Sequence, residues 1–267
     1  MSQRIRHNHE ESALNRDLEA LQKQKVNRRR IFAWASVGAV LPIAGGLLRA
    51  SSLKAAAVCK VVPTETAGPY PGDGSNGANA LAISGIVRSD ITASVGGSET
   101  VAQGVPLRVE ITLINASGEC EALEGYAIYI WHCDRIGDYS LYTGAAKSEN
   151  YLRGVQATDA DGLVAFDSIF PGCYPGRWPH IHFEVYKSIE VATTYRTKIA
   201  TSQLALPTAA CKAAYATSGY AASVTNLSRI SLSSDMVFAD GATLQLASVT
   251  GSVNEGFVAK LVVAVKA

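Results

Sequence analysis

From residue 81 onward the chain is written in short runs of alternating apolar and polar residues. LAISGIVRSDI (81–91) and LRVEITLI (107–114) carry the two-residue period of strands with one buried face. YAIYIWHCD (126–134) is apolar almost throughout, the signature of a strand buried on both faces. TDADGLVAFDSI (158–169) places an Asp-Gly turn before another strand. HIHFEVYK (180–187), TYRTKIATSQLAL (194–206), ATLQLASV (242–249) and GFVAKLVVAVKA (256–267) follow in the same manner. Only PTAACKAAYAT (207–217) has helical spacing. Many short strands separated by turn signals predict an all-β fold, a β-sandwich of mostly antiparallel strands with long loops and at most short helices. TDADG lacks the later ligands and closing Glu of a calcium loop, so it reads as a hairpin turn.

Upstream the pattern changes. Residues 61–80, VVPTETAGPYPGDGSNGANA, are rich in Pro, Gly, Thr and Asn and predict an extended arm rather than a helix. Residues 31–48, IFAWASVGAVLPIAGGLL, are uncharged, follow Arg28-Arg29-Arg30 and precede small residues ending in Ala55-Ala56-Ala57. That order reads as a secretory signal, and Arg29-Arg30-Ile31-Phe32 fits the twin-arginine export route. The chain therefore divides into a targeting segment (1–57), an arm (58–80) and one β-sandwich domain (81–267), exported to a periplasmic or extracellular location. Eighteen apolar residues could also just span a bilayer, so an uncleaved segment is the one route to membrane attachment.

Charge and cysteine narrow the possibilities. The net charge of +1 is uneven: eight Lys/Arg against four Asp/Glu fall in residues 1–30, leaving the rest slightly acidic. A nucleic-acid surface needs clustered cations, so nucleic acid is excluded as a partner. Export permits disulfides, and five cysteines, Cys59, Cys120, Cys133, Cys173 and Cys211, leave at least one thiol free. No C-x-x-C motif is present to bind zinc through thiolates.

The chemistry concentrates in PGCYPGRWPHIHFEV (171–185). His180 and His182 alternate on a strand, so both imidazoles leave one face, roughly 6–7 Å apart at Cα. No Asp or Glu readily completes a two-His, one-carboxylate triad; Glu184, two residues beyond His182 and on its face, is the only candidate base for a zinc hydrolase. Tyrosine is near instead: Tyr174 precedes His180 by six residues, and Tyr139 follows the buried strand. A phenol of pKa about 10 is a poor ligand unless the metal is strongly Lewis-acidic. Two phenolates with two imidazoles form a hard, anionic set that suits Fe(III) over Fe(II), zinc or copper.

These residues sit in stretches that resemble the intradiol ring-cleavage dioxygenases, the catechol and protocatechuate dioxygenase family, and in particular its secreted single-chain branch. The matching stretches are WHCDRIGDYS (131–140), YLRGVQATDADGLVAFDSIFPGCYPGR (151–177), HIHFEV (180–185) and the arm CKVVPTETAGPY (59–70). The resemblance implies a β-sandwich holding non-haem Fe(III) through Tyr139 in the G-x-Y pattern, Tyr174 in P-G-x-Y, and His180 and His182 in H-x-H. It implies catalytic roles for Tyr174, the axial phenol displaced by substrate, and for Arg177, which stabilises the activated ring. Tyr70 of the G-P-Y segment and Gln156 of R-G-V-Q become candidate substrate-binding residues. Tyr142 and Tyr151, the other nearby phenols, do not fall on the family's spacing. Trp131 and His132 read as structural.

The implied reaction is cleavage of a catechol-type ring by O2 between the hydroxyl-bearing carbons, giving a cis,cis-muconate-type product in aromatic compound catabolism. The implied partners are a small aromatic diol and O2, with a homo-oligomer also open. Cys173, Pro71 and Val62 depart from the family's habit of an aromatic, a tyrosine and a threonine, and bear on which catechol is taken. The competing reading is an exported β-sandwich module that binds an aromatic ligand or a metal without catalysis.

Overall fold

The computed structural model describes residues 59–98 and 100–267. The signal-like segment, with its twin-arginine motif, lies outside the described residues. The described chain forms two four-stranded sheets, consistent with the sandwich expected from the alternation. The first sheet has the order β4–β1–β8–β7, built from β1 (Pro106–Asn115), β4 (Leu163–Ile169), β7 (Ser248–Ser252) and β8 (Gly256–Val265). The second has the order β3–β2–β5–β6, built from β2 (Ala127–Trp131), β3 (Arg153–Ala157), β5 (His180–Tyr186) and β6 (Lys198–Ala205). Every strand pairing is antiparallel except β1 with β8.

Alternation decides which residues meet between the sheets. Leu107, Val109, Ile111 and Leu113 of β1, with Phe166 of β4 and Ala259 and Val263 of β8, face Ile128 and Ile130 of β2 and Ile181, Phe183 and Val185 of β5. The other face of the second sheet is covered too. Tyr129, Trp131, Val155 and Tyr186 pack beneath Leu81, Ile86 and Tyr139, with Tyr70 and Tyr142 alongside. All residues of β2 and β5 are therefore buried, which is why 126–134 reads as continuously apolar.

The cover is the arm. Val62 N–H donates to Ala264 O and Glu65 N–H to Thr201 O, so the arm crosses from β8 to β6 before reaching β3. A disulfide between Cys59 and Cys120, with Cα atoms 5.8 Å apart, ties its start to the β1–β2 loop. Cys133, Cys173 and Cys211 are buried free thiols.

Two sequence-based expectations change. Residues 81–91 form no strand: a 3-10 turn at Ala80–Ala82 leads into single bridges from Val87 to Val155 and from Asp90 to Asp167. Gly85 turns the chain at φ +87°, and Arg88 spends its guanidinium on the carbonyls of Ala93, Asn150 and Arg153. The segment thus joins one edge of each sheet instead of extending either. In ATLQLASV the strand begins only at Ser248, because Gln245 and Leu246 fold back onto the carbonyl of Ala242. The expected helix is present as α1 (Thr208–Tyr215), and a second, α2 (Ala221–Leu227), follows it.

Candidate metal centre

The alternation of β5 sends Ile181 and Phe183 inward and His180 and His182 to the opposite face, under the arm. Both imidazoles are buried, 2% exposed. His180 Nδ1 lies 2.5 Å from the carbonyl oxygen of Trp178. A carbonyl only accepts, so Nδ1 carries the proton and Nε2 presents a lone pair. His182 stands opposite Trp131 in the ladder and its ring stacks on the indole, centroids 4.8 Å apart and 6° from parallel. Trp131 is thus more than core: it fixes the plane of a candidate ligand.

The two Nε2 atoms lie 3.0 Å apart, and the Tyr174 hydroxyl lies 3.3 Å from His180 Nε2. Two ligand atoms about 2.1 Å from one ion, at right angles, stand about 3 Å from each other. Tyr139 completes the group, its ring edge-on to Tyr174 at 6.0 Å and to His182 at 6.3 Å. Its hydroxyl is buried without a hydrogen-bond partner of ordinary geometry, although the Tyr174 phenol is near enough to influence its ionisation. A buried orphan hydroxyl is costly, so an atom is called for at this point. The four side chains fit a metal ion. Among the described residues no group of three or more His, Cys, Asp and Glu could hold one, so a metal here depends on the phenols.

Protonation states agree with that role. Burial, then the adjoining His180 ring, which would repel a second proton, and the Arg177 charge hold His182 well below the usual histidine value; burial and Arg177 do the same for His180. Both rings are neutral, as ligands must be. Burial, then the Tyr174 phenol, pushes Tyr139 well above the usual phenol value. Only a strong Lewis acid would ionise it at neutral pH.

The loops explain the motif spacing. Gly137, two before Tyr139, adopts φ +95°, and a Cβ there would stand 3.1 Å from Tyr174 Cβ, so the glycine lets the two tyrosine loops meet. Asp134 Oδ1 accepts from the N–H groups of Ile136 and Asp138, and Thr143 Oγ1 accepts from Tyr139 N–H. A Cβ on Gly172 would meet the Arg135 carbonyl at 2.7 Å. Helix α2 holds the second loop: Ser223 Oγ accepts from Cys173 N–H and Asn226 Nδ2 donates to Cys173 O.

The remaining candidates divide. The Tyr70 ring lies 5.2 Å from that of Tyr139, tilted by 39°, and so stands beside the four-residue group. Arg177 is buried beside the histidines, its Nε on Asp235 Oδ2 at 3.0 Å and its Nη2 on Gln203 Oε1 at 2.6 Å. Gln156 does not join the site: it pairs with Ile128, whose face is turned to the inter-sheet core, whereas Arg153 at the same strand's start shares the site face with Trp131. Cys173 also departs from its expected place by the pocket. Its side chain enters the inter-sheet core, where burial pushes the thiol up to about 12. Glu184 is occupied by Lys198 Nζ and the Tyr186 hydroxyl, which removes the candidate zinc-hydrolase base. His132 is structural, bonded to Cys133 O and Ser168 Oγ. Tyr142 contacts the arm and Tyr151 approaches Asp134, so neither joins the four-residue group.

Arg153, Gln203 and Asp235 escaped the sequence reading. Arg153 and Gln203 stand among other polar positions of their strands, RGVQA and KIATSQLA, and Asp235 lies on an irregular segment, so none of the three carries a local mark.

Fold and geometry thus bring two tyrosines and two histidines together on the covered face of a β-sandwich sheet. Residues 88–197 match the family model for dioxygenases, Dioxygenase_C. An intradiol ring-cleavage dioxygenase from Tetranychus urticae superposes with a TM-score of 0.61 at 24% identity, over 78% of this chain and 95% of that one. The dioxygenase domain of a dioxygenase–carbohydrate-binding protein fusion from Streptomyces sp. SirexAA-E covers 78% of this chain and 99% of its own, at 23% identity and a TM-score of 0.47. No curated protein matches the sequence. The chain has the fold of the intradiol ring-cleavage dioxygenases, and its central segment carries the dioxygenase family signature, as the motifs implied.

Proposed function

We propose that this protein is a non-haem Fe(III) intradiol dioxygenase. It opens a catechol-type ring between the two hydroxyl-bearing carbons, placing both atoms of O2 in a cis,cis-muconate-type dicarboxylate. The observation that carries this reading is the convergence of His180 Nε2, His182 Nε2 and the Tyr174 hydroxyl, with the buried, orphaned hydroxyl of Tyr139 beside them. Ferric iron held by these residues would supply the Lewis acidity that ionises phenols and diol.

The protein's own groups then have distinct tasks. Tyr139 is 3% exposed and fixed by its loop, so it stays in place. Tyr174 is half-buried, which suits the phenol that swings aside and takes up a proton from the entering diol. Tyr70 offers an aromatic wall for the ring. The Arg177 guanidinium, always charged, supplies positive potential toward a ring gaining electron density. Its clamp by Asp235 and Gln203 spares reorganisation during the reaction. We place the protein outside the cytoplasm, supported by the twin-arginine-like segment and the Cys59–Cys120 disulfide.

The test is aerobic incubation of the iron-loaded protein with catechol, hydroxyquinol and protocatechuate, following oxygen uptake and product. Equal consumption of O2 and diol, with a muconate-type product, is the expected result. A protein that stays colourless and iron-free when offered ferric iron would instead be a binding module, and semialdehyde products would refute the intradiol outcome.

A further inference from the structure

Arg153 is an arginine with 0% exposure, and among the described residues no carboxylate meets it. Neutral oxygens use all five of its N–H groups. Nε donates to Ser140 Oγ at 2.9 Å, and Nη2 to Ser140 O and Tyr70 O, each at 2.9 Å. Nη1 donates to Pro71 O at 2.8 Å and to the Tyr129 hydroxyl at 3.0 Å. The guanidinium also lies 5.5 Å from the ring centre of Tyr142, whose hydroxyl accepts from Gly72 N–H at 2.9 Å. Gly72 itself is needed at this approach: it adopts φ +61°, and a Cβ would stand 2.8 Å from Arg153 Nη1.

These contacts have a direction. Ser140 is the residue after the candidate ligand Tyr139; Tyr70 carries the ring that faces Tyr139 at 5.2 Å. One planar fork therefore holds the peptide beyond the phenol and the peptide of the opposing wall. We infer that Arg153 is a positioning residue that sets the gap between the Tyr70 ring and the Tyr139 loop, and so governs affinity for the aromatic ring rather than metal loading. The inference rests on the proposed function for its substrate and on the geometry alone for the link between arm and loop. Lysine cannot replace the fork: it keeps the charge but has three donors on a single nitrogen.

The experiment compares wild type, Arg153→Lys, Tyr70→Ala and the double variant in the full chain. In the iron-loaded proteins, Arg153→Lys is expected to bind iron one-to-one, to raise KM for catechol about tenfold with a smaller change in kcat, and to shift the tyrosinate-to-iron absorption band. The double variant should be no worse than Tyr70→Ala alone, because both act through one gap. In the metal-free proteins, amide exchange at residues 70–74 should quicken about tenfold in Arg153→Lys. Unchanged KM and exchange, additive effects, or loss of iron in parallel with activity would overturn the inference. If wild type neither binds iron nor consumes catechol, the functional reading fails, while the exchange measurement still decides the link between arm and loop. Should Arg153→Lys not fold, Ser140→Ala removes one acceptor of the same fork and should show the same pattern more weakly.

Discussion

Asp235 offers the sharpest test of how the site is held. Its carboxylate is 0% exposed and serves four donors: Arg177 Nε at 3.0 Å and Trp178 N–H at 2.7 Å on one oxygen, Val237 N–H at 2.8 Å and Phe238 N–H at 3.1 Å on the other. Asp235→Ala removes the countercharge of a buried arginine and strands three backbone donors. Breaking such a pair from one side costs about 3–5 kcal/mol, a large part of the 5–15 kcal/mol typical of a whole domain. Asp235→Asn keeps the shape and one acceptor and should lose roughly half as much.

The effect reaches the candidate metal centre along a short path. The same oxygen fixes Trp178 N–H, and Trp178 O fixes His180 Nδ1. Iron affinity should therefore fall by about 10- to 100-fold, the range seen when a partner behind a ligand is removed. Urea unfolding at pH 7, followed by tryptophan fluorescence, gives the stability; competition with a chelator gives the affinity. Burial alone would raise the carboxyl of Asp235, but Arg177 and the Trp178 N–H outweigh it and hold it below the usual value. Its contribution is thus complete above the unfolded carboxylate value of about 3.9 and is lost as pH falls through the lower folded value. An Asp235→Ala protein within about 1 kcal/mol of wild type, with unchanged iron affinity, would refute the reasoning, since one-sided loss of a buried ion pair cannot be that mild.

His132 gives a second handle on pH: burial lowers it to about 4, so the folded state excludes a proton that the unfolded chain takes up below about 6.5. Its stabilisation is full above pH ~6.5 and is lost as pH falls to about 4, some 3 kcal/mol in all at 1.36 kcal/mol per pH unit; urea titrations of His132→Asn across that window should show a correspondingly flatter pH dependence. For the Cys59–Cys120 disulfide, which closes a loop of sequence separation 61, the double Ser variant should unfold with about 4 kcal/mol less stability by the loop-entropy relation. Urea unfolding measures that loss, and a variant as stable as wild type would show that the arm is held by its hydrogen bonds alone.

The parts of this protein that were legible in its sequence are those where one residue type has one physical use. A two-residue period became a strand in β1, β5 and β8, whereas the same period in residues 81–91 gave only single bridges, because Gly85 turns the chain and Arg88 is drawn to the carbonyls of Ala93, Asn150 and Arg153. The H-x-H spacing put two imidazoles on one face, and the structure brings their Nε2 atoms within 3.0 Å. The close approaches at Gly137 and Gly172, by contrast, became visible only in the structure. What the sequence hid was direction and partnership across long separations. Gln156 and Arg153 lie three residues apart on one strand, so they face opposite sides, and local context does not say which side holds the site. Cys173 adjoins Tyr174 on a loop, where no period says which way a side chain turns, and it points into the core. Arg177 looked like a free catalytic charge because Asp235, 58 residues away, and Gln203, 26 away, bear no sequence mark of their meeting with it. The candidate metal ligands could thus be named from their residue types together with the motif spacing of the family they resemble, whereas the residues that hold them emerged only when the chain was folded. A buried cation needs a partner or a full set of acceptors; Arg177 and Arg153 satisfy that demand in the two different ways, the first with a carboxylate, the second with five neutral oxygens.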